Sequence, residues 1–62
     1  ILSARELEVI QLLAAGNKLN RIAELLAVSP KTVSTYRSRI LEKLNLKTTA
    51  EIIRYALNNN LS

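Results

Sequence analysis

Leu19-Asn20-Arg21-Ile22-Ala23-Glu24-Leu25-Leu26-Ala27-Val28-Ser29-Pro30-Lys31-Thr32-Val33-Ser34-Thr35-Tyr36-Arg37-Ser38, residues 19 to 38, decides the fold. Leu19, Ile22, Ala23 and Leu26 recur at the i, i+3, i+4, i+7 spacing of a buried helical face. Ser29-Pro30 then opens a second helix, because Ser accepts from free first-turn amides and Pro at the first helical position lacks the amide that would go unpaired. Between them Ala27 and Val28 leave room only for a tight turn. Two helices so joined cross at about 90 to 120°, the helix-turn-helix arrangement. A crossing that close requires a small residue on the first helix, and Ala23 supplies it. Gly is usual in the turn; Ala27 adopts the same backbone at modest strain.

The rest of the chain reads as two further helices. Ser3-Ala4-Arg5-Glu6 has capping-box spacing, Leu2 and Leu7 flank it as a hydrophobic staple, and Val9, Ile10, Leu13 and Ala14 form a stripe that Gly16 closes with positive φ. The expected helix runs from about residue 4 to 15. Lys18, where the next helix begins, is no cap, and nothing in the residues accounts for it. The helix opened by Ser29-Pro30 continues through Val33, Tyr36, Arg37, Ile40, Leu41 and Leu44 to about Asn45. Thr48-Thr49-Ala50-Glu51 repeats the capping box, and Ile52, Ile53, Ala56 and Leu57 carry a fourth helix to about Asn58. The expected class is all-α, four helices and no strand, in one domain covering residues 1–62.

With 62 residues, such a domain buries only about 60% of its unfolded surface and has no room for a deep catalytic cleft. The chain holds no Cys and no His, which removes thiolate chemistry, disulfides and the commonest general base and metal ligand. No paired carboxylates or Gly-rich phosphate loop replace them, so neither an enzyme nor a cofactor is expected. No apolar run approaches the roughly 20 residues of a membrane span, and the expected address is cytoplasmic. The chain starts at Ile1 and contains no Met; the expectation is a fragment of a longer protein continuing on the N-terminal side.

Nine Lys and Arg against five acids give a net charge of +4. The excess gathers in residues 31 to 47, where Lys31, Arg37, Arg39, Lys43 and Lys47 face the single acid Glu42, a stretch that attracts polyanions. With Val33 turned inward, Ile40, Leu44, Arg37 and part of Tyr36 share the core side. Lys31, Ser34, Thr35, Ser38 and Glu42 project outward, with Arg39 at the flank. A hydroxyl-rich face at a helix N-terminus enters a DNA major groove without collision, and flexible cations around it neutralise phosphates. The duller reading of the hydroxyls and charges, a solvated helix face, is left open by the residues alone. Tyr36 reads equally as a half-buried aromatic or a phosphate donor.

These residues resemble the LuxR-type (GerE-like) helix-turn-helix domains, found also at the C-terminus of NarL/FixJ-type response regulators. The resemblance rests on Leu2-Ser3-x-Arg5-Glu6-x-Glu8-Val9-Ile10, Ala14-x-Gly16, Ile22-Ala23-x-x-Leu26-x-Val28-Ser29, Lys31-Thr32-Val33-Ser34-Thr35-Tyr36, Ile40-x-x-Lys43-Leu44 and Ala56. It implies a four-helix domain whose third helix reads duplex DNA, usually as a homodimer, in the output domain of a two-component transcription regulator. It places base contacts at Ser34, Thr35 and Ser38 and backbone contacts at Thr32, Tyr36 and Lys43, to which the basic stretch adds Lys31, Arg37 and Arg39. The fourth helix commonly supplies the dimer contact; here Glu51, Arg54, Tyr55 and Asn58 point away from the core, and Tyr55 is the candidate. RNA polymerase is an expected partner, and no membrane or small-molecule ligand is. Many members have Ser or Thr then Asn at Lys18 and Leu19, His at Tyr36 and Lys at Ser34, so the operator preference should differ. The alternatives are the promoter-reading region of a sigma factor, against which the fourth capped helix argues, and a helical protein-interaction module.

Overall fold

A computed structural model describes residues 1–61. Its four helices are α1 (Ala4–Ala14), α2 (Leu19–Leu26), α3 (Pro30–Leu44) and α4 (Thr49–Asn58). α1 packs against each of the other three, while α2 lies on α3 and α4 touches α1 and α3. The core they enclose is aliphatic: Val9, Ile10 and Leu13 from α1, Ile22 and Ala23 from α2, Val33 and Ile40 from α3, Ile52 and Ala56 from α4. Every helix therefore contributes at least two residues at i, i+1, i+4 or i+7 spacing to one cluster, which is how so short a chain obtains a dry centre.

The starts follow the expected chemistry. Ser3 and Thr48 form full capping boxes with Glu6 and Glu51, and the Ser29 hydroxyl accepts the Thr32 amide at 3.1 Å. Lys18 makes no side-chain cap, so α2 begins with its first amides unsatisfied by any side chain at that position. The ends share one device. Gly16, Ala27, Asn45 and Asn60 all take positive φ. Beyond each, an amide returns to the carbonyl five residues back, at 3.1 Å for Asn17 to Leu12, 3.0 Å for Val28 to Ala23, 2.8 Å for Leu46 to Leu41 and 2.8 Å for Leu61 to Ala56. These are Schellman closures. Val28, Leu46 and Leu61, the residues after three of the turns, rest against the core, so each closure also folds an apolar side chain back onto the bundle.

Two sequence expectations need correction. Leu57, assigned to the inner stripe of α4, is 57% exposed. Ile52 and Ala56 hold that stripe, and at about 100° per residue Leu57 stands one step round the helix from Ala56, where no other helix covers it. Leu19 and Leu26 are half-buried rather than buried, since α2 packs mainly on α3 through Ile22 and Ala23.

Among the described residues Glu6 is the one buried charged side chain, 2% exposed. Beyond its capping bond to the Ser3 amide at 2.8 Å, its Oε1 receives Lys43 Nζ from the far end of α3 at 2.8 Å, and the same Nζ donates to the Ile1 carbonyl at 3.2 Å. The Lys43 hydrogen bond, then the Ser3 amide, hold the Glu6 carboxyl below the ordinary glutamate range, against the opposing effect of burial. A folded value lowered in this way gives stability that is complete above the unfolded glutamate range, about pH 4.3, and is lost as pH falls through the folded value. Glu51 is shifted in the same direction by the Lys47 and Thr48 amides, so the acid limb has two contributors.

Glu6→Gln keeps the capping geometry and removes the charge; at neutral pH it should cost about 1 to 2 kcal/mol by urea unfolding and make the loss of stability below about pH 4.3 shallower than in the parent without abolishing it. An acid limb identical in the two proteins would contradict the assignment. Ala27→Gly should raise stability by a few tenths to about 1 kcal/mol, because relief of the left-handed Ala exceeds the added entropy of an unfolded Gly; a lower urea midpoint would show that the turn is not strained.

Candidate nucleic-acid interface

The α2–turn–α3 unit is held by Ile22 and Ala23 against Val33, all 3% exposed or less. Ala23 has only a methyl to place between the helices, so their backbones approach closely. The left-handed Ala27 then reverses the chain within a few residues, and Ser29 starts α3, its Oγ also 3.0 Å from Thr32 Oγ1. The rotation of α3 about its own axis is set by Val33 and Ile40, both fully buried, with Tyr36, Leu41 and Leu44 packed at the margins.

The opposite face of α3 carries Lys31, Ser34, Thr35, Ser38, Arg39 and Glu42, which line one shallow surface depression. The three candidate base-reading residues therefore come together on one surface, Ser34 half-buried and Thr35 and Ser38 exposed. Thr35 donates its hydroxyl proton to the Lys31 carbonyl at 3.1 Å, which leaves the oxygen's acceptor side and the methyl for an outside partner. Lys31 and Arg39 are exposed and enter none of the ion pairs of the described residues, which are Arg5–Glu8, Arg21–Glu24 and Lys43–Glu6. Their charges are available at the rim of the depression. Thr32 is half-buried at the start of the helix, tied to Ser29 through its amide and hydroxyl.

The remaining candidates lie elsewhere. Arg37 is half-buried and turns to α4, donating to Thr49 Oγ1 at 3.3 Å. Lys43 is occupied by Glu6 and Ile1. Tyr36 is half-buried against the core. Tyr55 is half-buried on a separate depression with Leu46, Glu51, Arg54 and Asn58. Sequence reasoning had no signal for the Lys43–Glu6 contact, since the capping box already accounted for Glu6 and the partners are 37 residues apart. Among the described residues no three His, Cys, Asp or Glu side chains gather as a metal site, and no helix is long and apolar enough to cross a membrane.

An open depression with hydroxyls at its centre and cations at its edge offers hydrogen bonds and charge but encloses nothing, so it suits a large convex polyanion better than a small ligand. Comparison with known proteins points the same way. The family described as bacterial regulatory proteins, luxR family, matches residues 1–56. The chain is 50% identical, over its whole length, to 30% of the protein named virulence factors putative positive transcription regulator BvgA, from Bordetella pertussis. It is 49% identical, over 98% of its length, to 28% of the oxygen regulatory protein NreC of Staphylococcus carnosus, and 48% identical to the same share of NreC from Staphylococcus aureus. It thus spans less than a third of the relatives it matches.

Proposed function

The chain belongs to the luxR family of bacterial regulatory proteins, and from that premise we propose that it binds duplex DNA sequence-specifically as the output module of a longer, cytoplasmic response regulator that controls transcription. The single observation that carries this reading is the common surface of Lys31, Ser34, Thr35, Ser38 and Arg39 on the side of α3 away from the core. An α-helix about 10 to 12 Å across with short side chains on its leading face fits a major groove about 12 Å wide. Ser34, Thr35 and Ser38 meet base edges; the Thr35 methyl suits a thymine methyl, and the hydroxyls accept or donate to several bases. The N-terminus of α3 adds its dipole to the attraction for phosphate, with Thr32 at its first turn.

Phosphate neutralisation falls first to Lys31 and Arg39, whose charges have no ion-pair partner among the described residues. Arg37, Tyr36 and Lys43 border the same helix, and their contribution to the backbone grip competes with the internal bonds they make. Tyr55, on α4, serves as the contact between two copies bound side by side on DNA. RNA polymerase is the proposed protein partner of the assembled regulator.

A titration of the chain against duplex DNA should show affinity falling with salt at a log-log slope of about −0.9 per neutralised phosphate. Arg39→Ala should weaken all duplexes similarly and reduce the slope by about 1, whereas Thr35→Ala should cost about 1 to 3 kcal/mol on the preferred duplex and little on others. On a duplex carrying two copies of the site, Tyr55→Ala should abolish cooperative occupancy. Salt-independent binding, or unchanged discrimination in Thr35→Ala, would defeat the groove assignment.

A further inference from the structure

All five acidic residues of the chain are glutamates, and four have a structural task. Glu6 and Glu51 close capping boxes, Glu8 pairs with Arg5 and Glu24 with Arg21. Glu42 has none: it is exposed, takes part in no ion pair among the described residues, and sits in the last turn of α3, where the helix dipole disfavours an anion. It nevertheless occupies the same depression as Ser34, Thr35 and Ser38. Being four residues beyond Ser38 and seven beyond Thr35, it stands on the midline of that face, about 10 Å along the axis from Thr35. A residue that violates the local preference without internal compensation, placed among groups that face a ligand, is accounted for by the ligand.

Building on the duplex-binding reading above, we propose that Glu42 is a specificity-determining residue that selects cytosine in the major groove. An ionised carboxylate is an acceptor only. It is repelled by phosphate and by the O6 and N7 acceptors of guanine, so the partners open to it in the groove are the amino groups of cytosine and adenine. Adenine sets the N7 acceptor beside its amino group, against which the second carboxylate oxygen is repelled; cytosine sets only a C–H there. The hydroxyls of Ser34, Thr35 and Ser38 donate or accept and therefore discriminate weakly. Glu42 adds a group that accepts only, and a repulsive element that penalises the wrong bases is a common source of specificity.

The test is selection of preferred duplexes from a randomised pool with the 62-residue chain, followed by titration of the parent, Glu42→Gln and Glu42→Ala against the selected duplex and its single-base-pair variants. Circular dichroism should show unchanged helix content in both variants, because Glu42 is exposed and its side chain makes no hydrogen bond or ion pair among the described residues. The parent should prefer cytosine at one position by roughly tenfold. Glu42→Ala should flatten that position and leave the others intact. Glu42→Gln, which carries a donor beside its acceptor, should move the preference toward adenine. If both variants bind every duplex more tightly by a common factor, or if no position changes, the carboxylate does not read a base and the proposal is overturned while duplex binding stands. If the parent itself shows no salt-dependent duplex binding, both readings fall.

Discussion

The close crossing of α2 on α3 decides which side of α3 faces outward, and the rest of the structure is arranged around it. Ala23 and Val33, 3% and 0% exposed, permit the approach; a larger side chain at either position would separate the helices or rotate α3. Rotation matters more than displacement here, because one residue of slip moves every outward side chain by about 100° and takes Ser34, Thr35 and Ser38 off the outer face. The turn shares in this constraint. Ala27 holds a left-handed conformation at φ 57° that costs an L-residue roughly 1 to 2 kcal/mol, and it is held there by the Val28 amide returning to Ala23. The carbonyl of the residue that sets the crossing thus also anchors the turn.

A crossing fixes α3 at its N-terminal half only. The far end is held by Lys43, which spans from the last turn of α3 to Glu6 and the Ile1 carbonyl. Such a contact is no large source of net stability, since desolvating the carboxylate offsets much of the attraction. Its effect is on geometry: Glu6 also caps α1 through Ser3, so one carboxylate fixes where α1 starts and where α3 ends. Arg37 acts similarly toward Thr49 at the start of α4. Between the crossing, Arg37 and Lys43, α3 is tied along its length to all three neighbours, and the outward face is presented by a rigid rod.

What could be read from the sequence divides along these lines. Helix starts at Ser3, Ser29 and Thr48 and the end at Gly16 were legible because caps are chemistry between residues three to five apart. The outward face of α3 was legible as well, since Val33 and Ile40 set its phase by periodicity alone. Lys43 is a backbone-contact candidate through the resemblance; that its ammonium also meets Glu6, far away in the chain, is encoded by no local pattern. Leu57 failed for a related reason. Periodicity places a leucine relative to its own helix, but whether a neighbour covers it depends on how many helices surround α4. Likewise, the separation of Tyr55 from the α3 face follows from the packing of α4 on α1 and α3 rather than from any spacing along the chain.

The cations of α3 illustrate why this domain can alter what it recognises without losing its fold. Arg37 and Lys43 serve the structure, so replacing either loosens α3 as well as changing charge. Lys31, Ser34, Thr35, Ser38, Arg39 and Glu42 form a surface outside the core cluster. Substitutions there act on solvent-facing helix positions, where effects on stability usually stay within about 0.5 kcal/mol. A single base-edge contact is worth about 1 to 3 kcal/mol of discrimination. Recognition therefore changes several times more steeply than stability across these positions. The scaffold confines that freedom to one face of one helix, because the other side of α3 is committed to Val33, Ile40 and the ties at its end.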